Sequence, residues 1–114
     1  MTMSEAMRDG IRSRRSIRQF NPEAVAPELL RELVDTARWA PSHCNTQAIR
    51  FIVVDDPALR RRLVDHGSAR VIERAPHGIL VLAADNSDNL DYRPQFQSAA
   101  AAIQNLCLYA HALG

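Results

Sequence analysis

Two short polar segments hold the residues best suited to chemistry, and the first is Arg14–Phe20, with the sequence RRSIRQF. In an extended backbone, successive side chains alternate between two sides, so Arg14, Ser16 and Arg18 can share one face. Guanidinium groups are planar, permanently charged donors, and a serine hydroxyl adds a short donor. The segment predicts a binding site for phosphate or another delocalised anion, with a solvated basic turn as the open alternative.

The second polar segment is Pro41–Gln47, with the sequence PSHCNTQ. Small polar side chains in a loop leave hydroxyl, amide and backbone groups free to meet a ligand. His43 and Cys44 stand next to each other, but adjacent side chains usually point apart. A metal site or a Cys–His nucleophile is therefore disfavoured here.

Bulk composition limits the class of protein. The 114 residues amount to one domain, and a hydrophobic content of 46% with 24% charged residues is ordinary for a globular protein. A formal net charge of +1 argues against a general nucleic-acid binder, whose footprint is a basic face. No apolar run is long enough to span a bilayer and no signal segment begins the chain, so we expect a cytoplasmic protein with reduced thiols.

The elements that must position the two polar segments can be predicted from periodicity and capping. We expect a first helix capped by Ser4, with Met7 and Ile11 facing inward. A second helix begins at Pro27 and is stopped by Pro41. Its inward face is predicted from helical spacing to comprise Leu29, Leu30, Leu33, Val34, Ala37 and Ala40.

Two strands are predicted farther along, at Ile49–Val54 and Gly78–Ala84, the second covered on both faces. Between them, Asp56 should cap a short helix with Leu59 and Leu63 inward, and a weaker helical turn should follow over 69–74. Residues 85–94 are predicted to form a polar loop, and Gln95 to Leu113 a largely apolar helix.

Other residues are predicted to play ordinary structural parts. The arginine run 60–62 is typical of a solvated helix face, and His66, His77 and His111 of surface or loop positions. Trp39 is expected to fill a core or an interface. Gln104 and Asn105 are expected to pack or cap the last helix.

Three motifs in order give a family resemblance: Arg14–Phe20, then Ala40–Gln47 followed by the strand through Phe51, then Gln104–Leu106 leading to Ala110–Gly114. Together they resemble the N-terminal part of the nitroreductase family of FMN-dependent oxidoreductases. The resemblance implies an α+β nitroreductase-like fold, a mixed sheet flanked by helices. It also implies that residues 1–114 form a single domain lacking the usual C-terminal portion, so that both strands keep open edges.

The resemblance also implies residue roles. Arg14 and Ser16 match residues that hold the phosphate and ribityl chain of FMN. Arg18 matches a residue at the pyrimidine edge of the flavin, and Arg15 matches a neighbouring position whose identity varies. A loop that approaches the flavin from the other subunit of an intertwined homodimer is matched by Pro41, Ser42, Asn45 and Gln47.

The function implied is transfer of hydride from NAD(P)H through FMN to a small-molecule acceptor of the nitroaromatic, quinone or enone type, without nucleic acid or membrane. The alternative is a truncated, inactive paralogue or fragment acting as an interaction or dimerisation subunit. Two departures from the family pattern stand out. Ala48 and Ile49 follow Gln47 in place of Pro and Trp, and neutral side chains stand near Gln97 and Ser98 where an acidic residue is frequent.

Overall fold

The computed structural model describes residues 1–84 and 93–114. The elements in chain order are α1 (Met3–Ser13), α2 (Pro27–Ala37), a 3₁₀ turn (His43–Asn45), β1 (Ile49–Val54), α3 (Pro57–Asp65), α4 (Val71–Arg74), β2 (Gly78–Ala83) and α5 (Pro94–Leu113). This arrangement confirms the predicted α+β class and nearly all element positions. Most of the predicted loop 85–94 lies outside the described residues.

The protein is a flat slab of 43 × 41 × 23 Å with a radius of gyration of 15.4 Å. A compact domain of this length would have a radius of gyration of about 13 Å. The greater value means that a larger share of the surface than usual remains exposed to solvent.

Helix α1 begins two residues earlier than predicted, because Thr2 and not Ser4 is its cap. The Thr2 hydroxyl accepts from the Glu5 N–H at 3.2 Å, and the Glu5 carboxylate accepts from the Thr2 N–H at 2.8 Å. These hydrogen bonds lower the pKa of Glu5. Only Thr2 has a glutamate three residues later, which this reciprocal capping box requires.

The buried core lies where α2 meets α5 and the sheet. Pro27 occupies the first turn of α2, as predicted, and Ala37 is fully buried. The other buried apolar residues are Leu30, Leu33, Val54 and Ala102. The Tyr109 hydroxyl on α5 donates to the Glu32 carboxylate on α2, and this bond raises the pKa of Tyr109.

The sheet consists of the two predicted strands, which pair antiparallel within the part of the chain that the structure describes. Phe51 lies opposite Val81, and Val54 opposite Gly78. Leu82 is 44% exposed, so the prediction that β2 is covered on both faces is wrong. Each strand has only one hydrogen-bonded neighbour among the described residues, which leaves its other edge open.

The inward positions of α3 differ from the prediction. Asp56 caps the helix as expected, but Leu59 is 44% exposed while Arg60 is only 6% exposed. The Arg60 guanidinium donates to the Asp55 carbonyl at 2.6 Å, which gives this buried side chain a backbone partner. Only Arg61 and Arg62 therefore form the predicted solvated face.

His77 lies in the loop before β2, in agreement with the predicted surface or loop position, and it also joins two parts of the chain. The Val25 N–H donates to its Nε2 at 2.8 Å, and its Nδ1 lies 2.6 Å from the Asp55 carboxylate. Because Nε2 accepts a hydrogen bond, the proton lies on Nδ1 and is donated to Asp55. The imidazole thus fixes Val25, which lies near the end of the segment between Arg14–Phe20 and α2.

Helix α1 leaves an apolar stripe in solvent: Met3 is 83%, Met7 63% and Ile11 53% exposed. The inward orientation predicted for Met7 and Ile11 is therefore wrong. The reason is that α1 touches α5 only locally, and the hydrogen bond between them joins Ser13 to His111 at 2.7 Å.

Among the described helices, none is long and apolar enough to cross a membrane.

The core assignment predicts that Leu33→Ala lowers the free energy of unfolding by about 2–5 kcal/mol, since it removes buried methyl groups from the α2–α5 contact. Urea unfolding followed by circular dichroism measures this change. Arg31→Ala, on the exposed face of the same helix, is the control and should stay within about 0.5 kcal/mol of the parent. Equal effects of the two substitutions would contradict the assignment.

Candidate functional site

The polar loop after α2 is closed by its own side chains. The Ser42 hydroxyl accepts from the Gln47 N–H at 3.1 Å, and the Ser42 carbonyl accepts from the Asn45 N–H at 2.9 Å. The Gln47 side-chain amide donates to the Asn45 side-chain oxygen at 3.3 Å. These bonds hold three of the predicted site residues in one compact turn.

Three residues of this loop have left-handed backbones: Cys44 with φ 50°, Asn45 with φ 53° and Gln47 with φ 53°. Such angles are uncommon for residues other than glycine, and they persist where surrounding contacts fix them. The turn also brings the Cys44 Sγ to 3.4 Å from the His43 Nε2, so the expectation that these neighbours point apart is wrong.

Helix α5 holds the loop through two buried polar side chains. The His43 N–H donates to the Ser98 hydroxyl at 2.9 Å, and the Gln95 amide donates to the Thr46 hydroxyl at 2.7 Å. Ser98 is 4% and Gln95 7% exposed. Because buried polar groups are costly unless they are hydrogen-bonded, these two contacts fix the loop against the helix.

Sequence reasoning missed these anchors, although a signal was present. Gln95 and Ser98 precede the buried Ala102 by seven and four positions, which is the spacing of one helix face. Two polar residues on an otherwise buried face need partners, and the nearby polar loop supplies them. The sequence interpretation treated Ser98 only as a departure from a family pattern.

A cavity of about 690 Å³ opens beside the loop, between α2, β1 and α5. Pro41, Ser42, Asn45 and Gln47 line it, so four of the eight predicted cofactor residues face one space. Ligand cavities in proteins commonly have volumes of this order. The remaining lining residues are Val34, Ala37, Arg38, Trp39, Ala40, Ile49, Arg50, Phe51, Ser98 and Ala102.

The arginine segment lies outside that cavity. Arg15 donates to the carbonyls of Arg12 and Arg14 at 2.6 and 2.9 Å, and Arg18 reaches the Ser16 carbonyl at 3.5 Å. Arg14 is half-buried, and its Nε has no hydrogen-bond partner within residues 1–84 and 93–114. Arg14, Arg15 and Arg18 form no ion pair with a described carboxylate.

The structure thus forms two separate clusters from the predicted site residues. Pro41, Ser42, Asn45 and Gln47 share the cavity, whereas Arg14, Arg15, Ser16 and Arg18 follow α1 on an exposed segment. No hydrogen bond joins the clusters in the described part of the chain.

Comparison with known proteins decides the family. The sequence model of the nitroreductase family matches residues 11–73, which contain both clusters. This chain belongs to the nitroreductase family. By sequence, the chain is similar to the NADH dehydrogenase of Thermus thermophilus, which is 47% identical over 79 residues, covering 68% of this chain and 38% of that protein.

Solved structures confirm the nitroreductase-like fold. A nitroreductase from Desulfovibrio desulfuricans, solved in complex with FMN, is 37% identical to this chain with a TM-score of 0.77. The match covers 94% of this chain and 63% of the Desulfovibrio chain. The FMN-dependent nitroreductase of Clostridium difficile is 30% identical with a TM-score of 0.78, covering 92% and 60%. This chain spans between 38% and 63% of the length of the curated relatives it matches first.

The anchoring of the loop predicts that Ser98→Ala speeds amide hydrogen exchange in residues 43–47 by about five-fold, the equivalent of one lost hydrogen bond. Exchange measured by mass spectrometry or NMR tests this. Gln97→Ala, on the exposed side of α5, is the matched control and should leave the loop unchanged. Unchanged exchange in Ser98→Ala would show that other contacts hold the loop.

Proposed function

We propose that the protein is an FMN-dependent oxidoreductase that uses NAD(P)H as the reductant. The observation that carries the proposal is the arginine cluster, in which Arg14 keeps a buried Nε without a partner and no described carboxylate neutralises the charge. A buried donor on a cation is costly unless an acceptor meets it. A phosphate supplies such acceptors.

The residues present fit FMN. Arg14 and Ser16 would hold the phosphate and ribityl chain, with Arg15 at the neighbouring position, since a forked guanidinium donor and a hydroxyl match the phosphate oxygens. The fit of the second cluster is also chemical, because side-chain amides can donate to and accept from the polar edge of a flavin. Asn45 and Gln47 would make these contacts in the cavity, with Ser42 and Pro41 shaping the loop.

Bound FMN would supply two-electron transfer between NAD(P)H and a second substrate of the nitroaromatic, quinone or enone class. The contribution of this chain is positioning and charge. Arg18 is assigned to the pyrimidine edge, where a fixed cation stabilises negative charge on the reduced ring system. Such a site needs no separate acid or base from the protein, and we assign none.

We further propose that the flavin lies between two copies of the chain in a homodimer. The separation of the two clusters within one chain supports this arrangement. The exposed stripe of Met3, Met7 and Ile11 supports it as well, because apolar faces of this kind commonly mark protein contacts. The same stripe favours the alternative function, a dimerisation subunit without chemistry, if FMN does not bind.

FMN titration followed by flavin absorbance and fluorescence tests the cofactor assignment. Arg14→Ala should weaken FMN binding about ten- to one hundred-fold, since it removes charge-assisted hydrogen bonds to the phosphate. Arg8→Ala removes an exposed arginine of α1 and is the control that should bind like the parent.

The same titration with riboflavin, which lacks the phosphate, separates the roles. The parent should prefer FMN to riboflavin, and Arg14→Ala should lose most of that preference. A parent protein that binds no FMN would refute the cofactor assignment, and a dimer of such a protein would support the interaction subunit.

A further inference from the structure

The cavity beside the polar loop carries positive charge from two arginines that have no part in the proposed binding of FMN. Arg38, at the end of α2, and Arg50, in β1, both line it, and no aspartate or glutamate belongs to its lining among the described residues. Two permanent cations in an acid-free cavity favour an anionic ligand. Neither arginine belongs to the clusters assigned to FMN.

Arg50, which lines the cavity, is oriented by backbone carbonyls. Its Nη1 donates to the carbonyls of Gln47 and Ile49 at 2.9 and 3.0 Å. Both bonds use one nitrogen, so Nε and Nη2 keep their donors for another partner. A guanidinium held on one side and open on the other presents a fork suited to a carboxylate.

Arg38 is restrained only weakly by the protein. Within the described residues, its ion pair joins Nη1 to the Asp35 carboxylate at 3.1 Å, with both side chains more than 60% exposed. Exposed pairs of this kind contribute little, so a ligand carboxylate can compete for the guanidinium. Asp35 itself is not part of the lining of this cavity.

The same cavity offers aromatic and apolar surface beside the two cations. Trp39 is 80% exposed, so it does not fill the core of this chain, and Phe51 contributes a second ring. Val34, Ala37 and Ala102 add apolar surface. Flat apolar surface next to forked cations matches a ligand that has an aromatic ring and a carboxylate.

We propose that this cavity binds aromatic carboxylates, with the carboxylate at Arg38 and Arg50 and the ring against Trp39 and Phe51. On the proposed function, on which this part rests, the aromatic acid is the class of electron acceptor that the protein prefers. Arg38 and Arg50 are then specificity determinants. They discriminate acids from neutral acceptors of the same shape.

The fluorescence of Trp39 tests the proposal directly, because it is the only tryptophan in the chain. The protein is titrated without FMN with 4-nitrobenzoate and, separately, with 4-nitrobenzamide, a neutral molecule with nearly the same size and absorbance. The acid should quench Trp39 with a dissociation constant at least about ten-fold lower than that of the amide.

The double variant Arg38→Gln, Arg50→Gln should bind the two molecules equally while keeping the parent's circular dichroism spectrum. Arg62→Gln, an exposed arginine on α3 outside the cavity, is the control and should keep the preference. Equal binding of acid and amide by the parent would overturn the proposal, as would a preference that survives in the double variant.

Two further measurements, competition by phosphate and binding of FMN, separate this proposal from a general anion site and from the cofactor assignment. Displacement of 4-nitrobenzoate by equimolar inorganic phosphate would show that the arginines recognise an anion alone, and would overturn the aromatic part. FMN binding is scored separately by visible absorbance. FMN binding without acid preference overturns only this inference. Acid preference without FMN binding overturns the cofactor assignment and with it the electron-acceptor role, but leaves the binding site for aromatic acids standing.

Discussion

The hydrogen bond from the His43 N–H to the Ser98 hydroxyl is the constraint on which the candidate site depends. It joins the polar loop to the longest helix, and the contact of Gln95 with Thr46 reinforces it one turn earlier. The left-handed residues of the loop are unfavourable on their own. A buried helix face therefore supplies the rigidity that a short loop of small polar residues lacks.

Close packing of α2 on α5 makes this anchoring possible. Ala37 and Ala102, the two smallest side chains of the core, are 0% and 3% exposed and belong to the facing helices. Small residues let two helices approach closely, which places the loop after α2 beside the first turns of α5. The cavity is the space left between this pair and β1. Its shape follows from helix packing, and its charge comes from Arg38 and Arg50.

Local signals were enough to predict most of the fold. Pro27 and Asp56 mark helix starts by fixing φ or capping a free N–H, and the β-branched run Ile49–Val54 has the strand bounds predicted. Long-range contacts were not predictable in the same way. The role of His77, for example, depends on Val25, which is distant in sequence.

In the candidate site, too, the features set by local sequence were predictable and those set by tertiary contacts were not. The types and spacing of Arg14, Ser16 and Arg18 indicate an anion site, and those of Ser42, Asn45 and Gln47 a ligand loop, because both depend on local geometry. Only the second cluster lines a cavity. This difference depends on tertiary structure, because the position of α1 determines where the first cluster lies. The helix has an apolar stripe that one copy of the chain does not cover, so sequence periodicity predicted burial in the wrong place.

The central claim is that the two clusters form one FMN site between two copies, and mixing two defective chains tests it most directly. One chain carries Arg14→Ala and Arg18→Ala, and the other carries Asn45→Ala and Gln47→Ala. Each alone should bind little FMN, while a mixed dimer regains one intact site. An equal mixture should recover about a quarter of the parent's FMN sites, since half of the dimers are mixed. No gain in bound FMN on mixing would contradict the account.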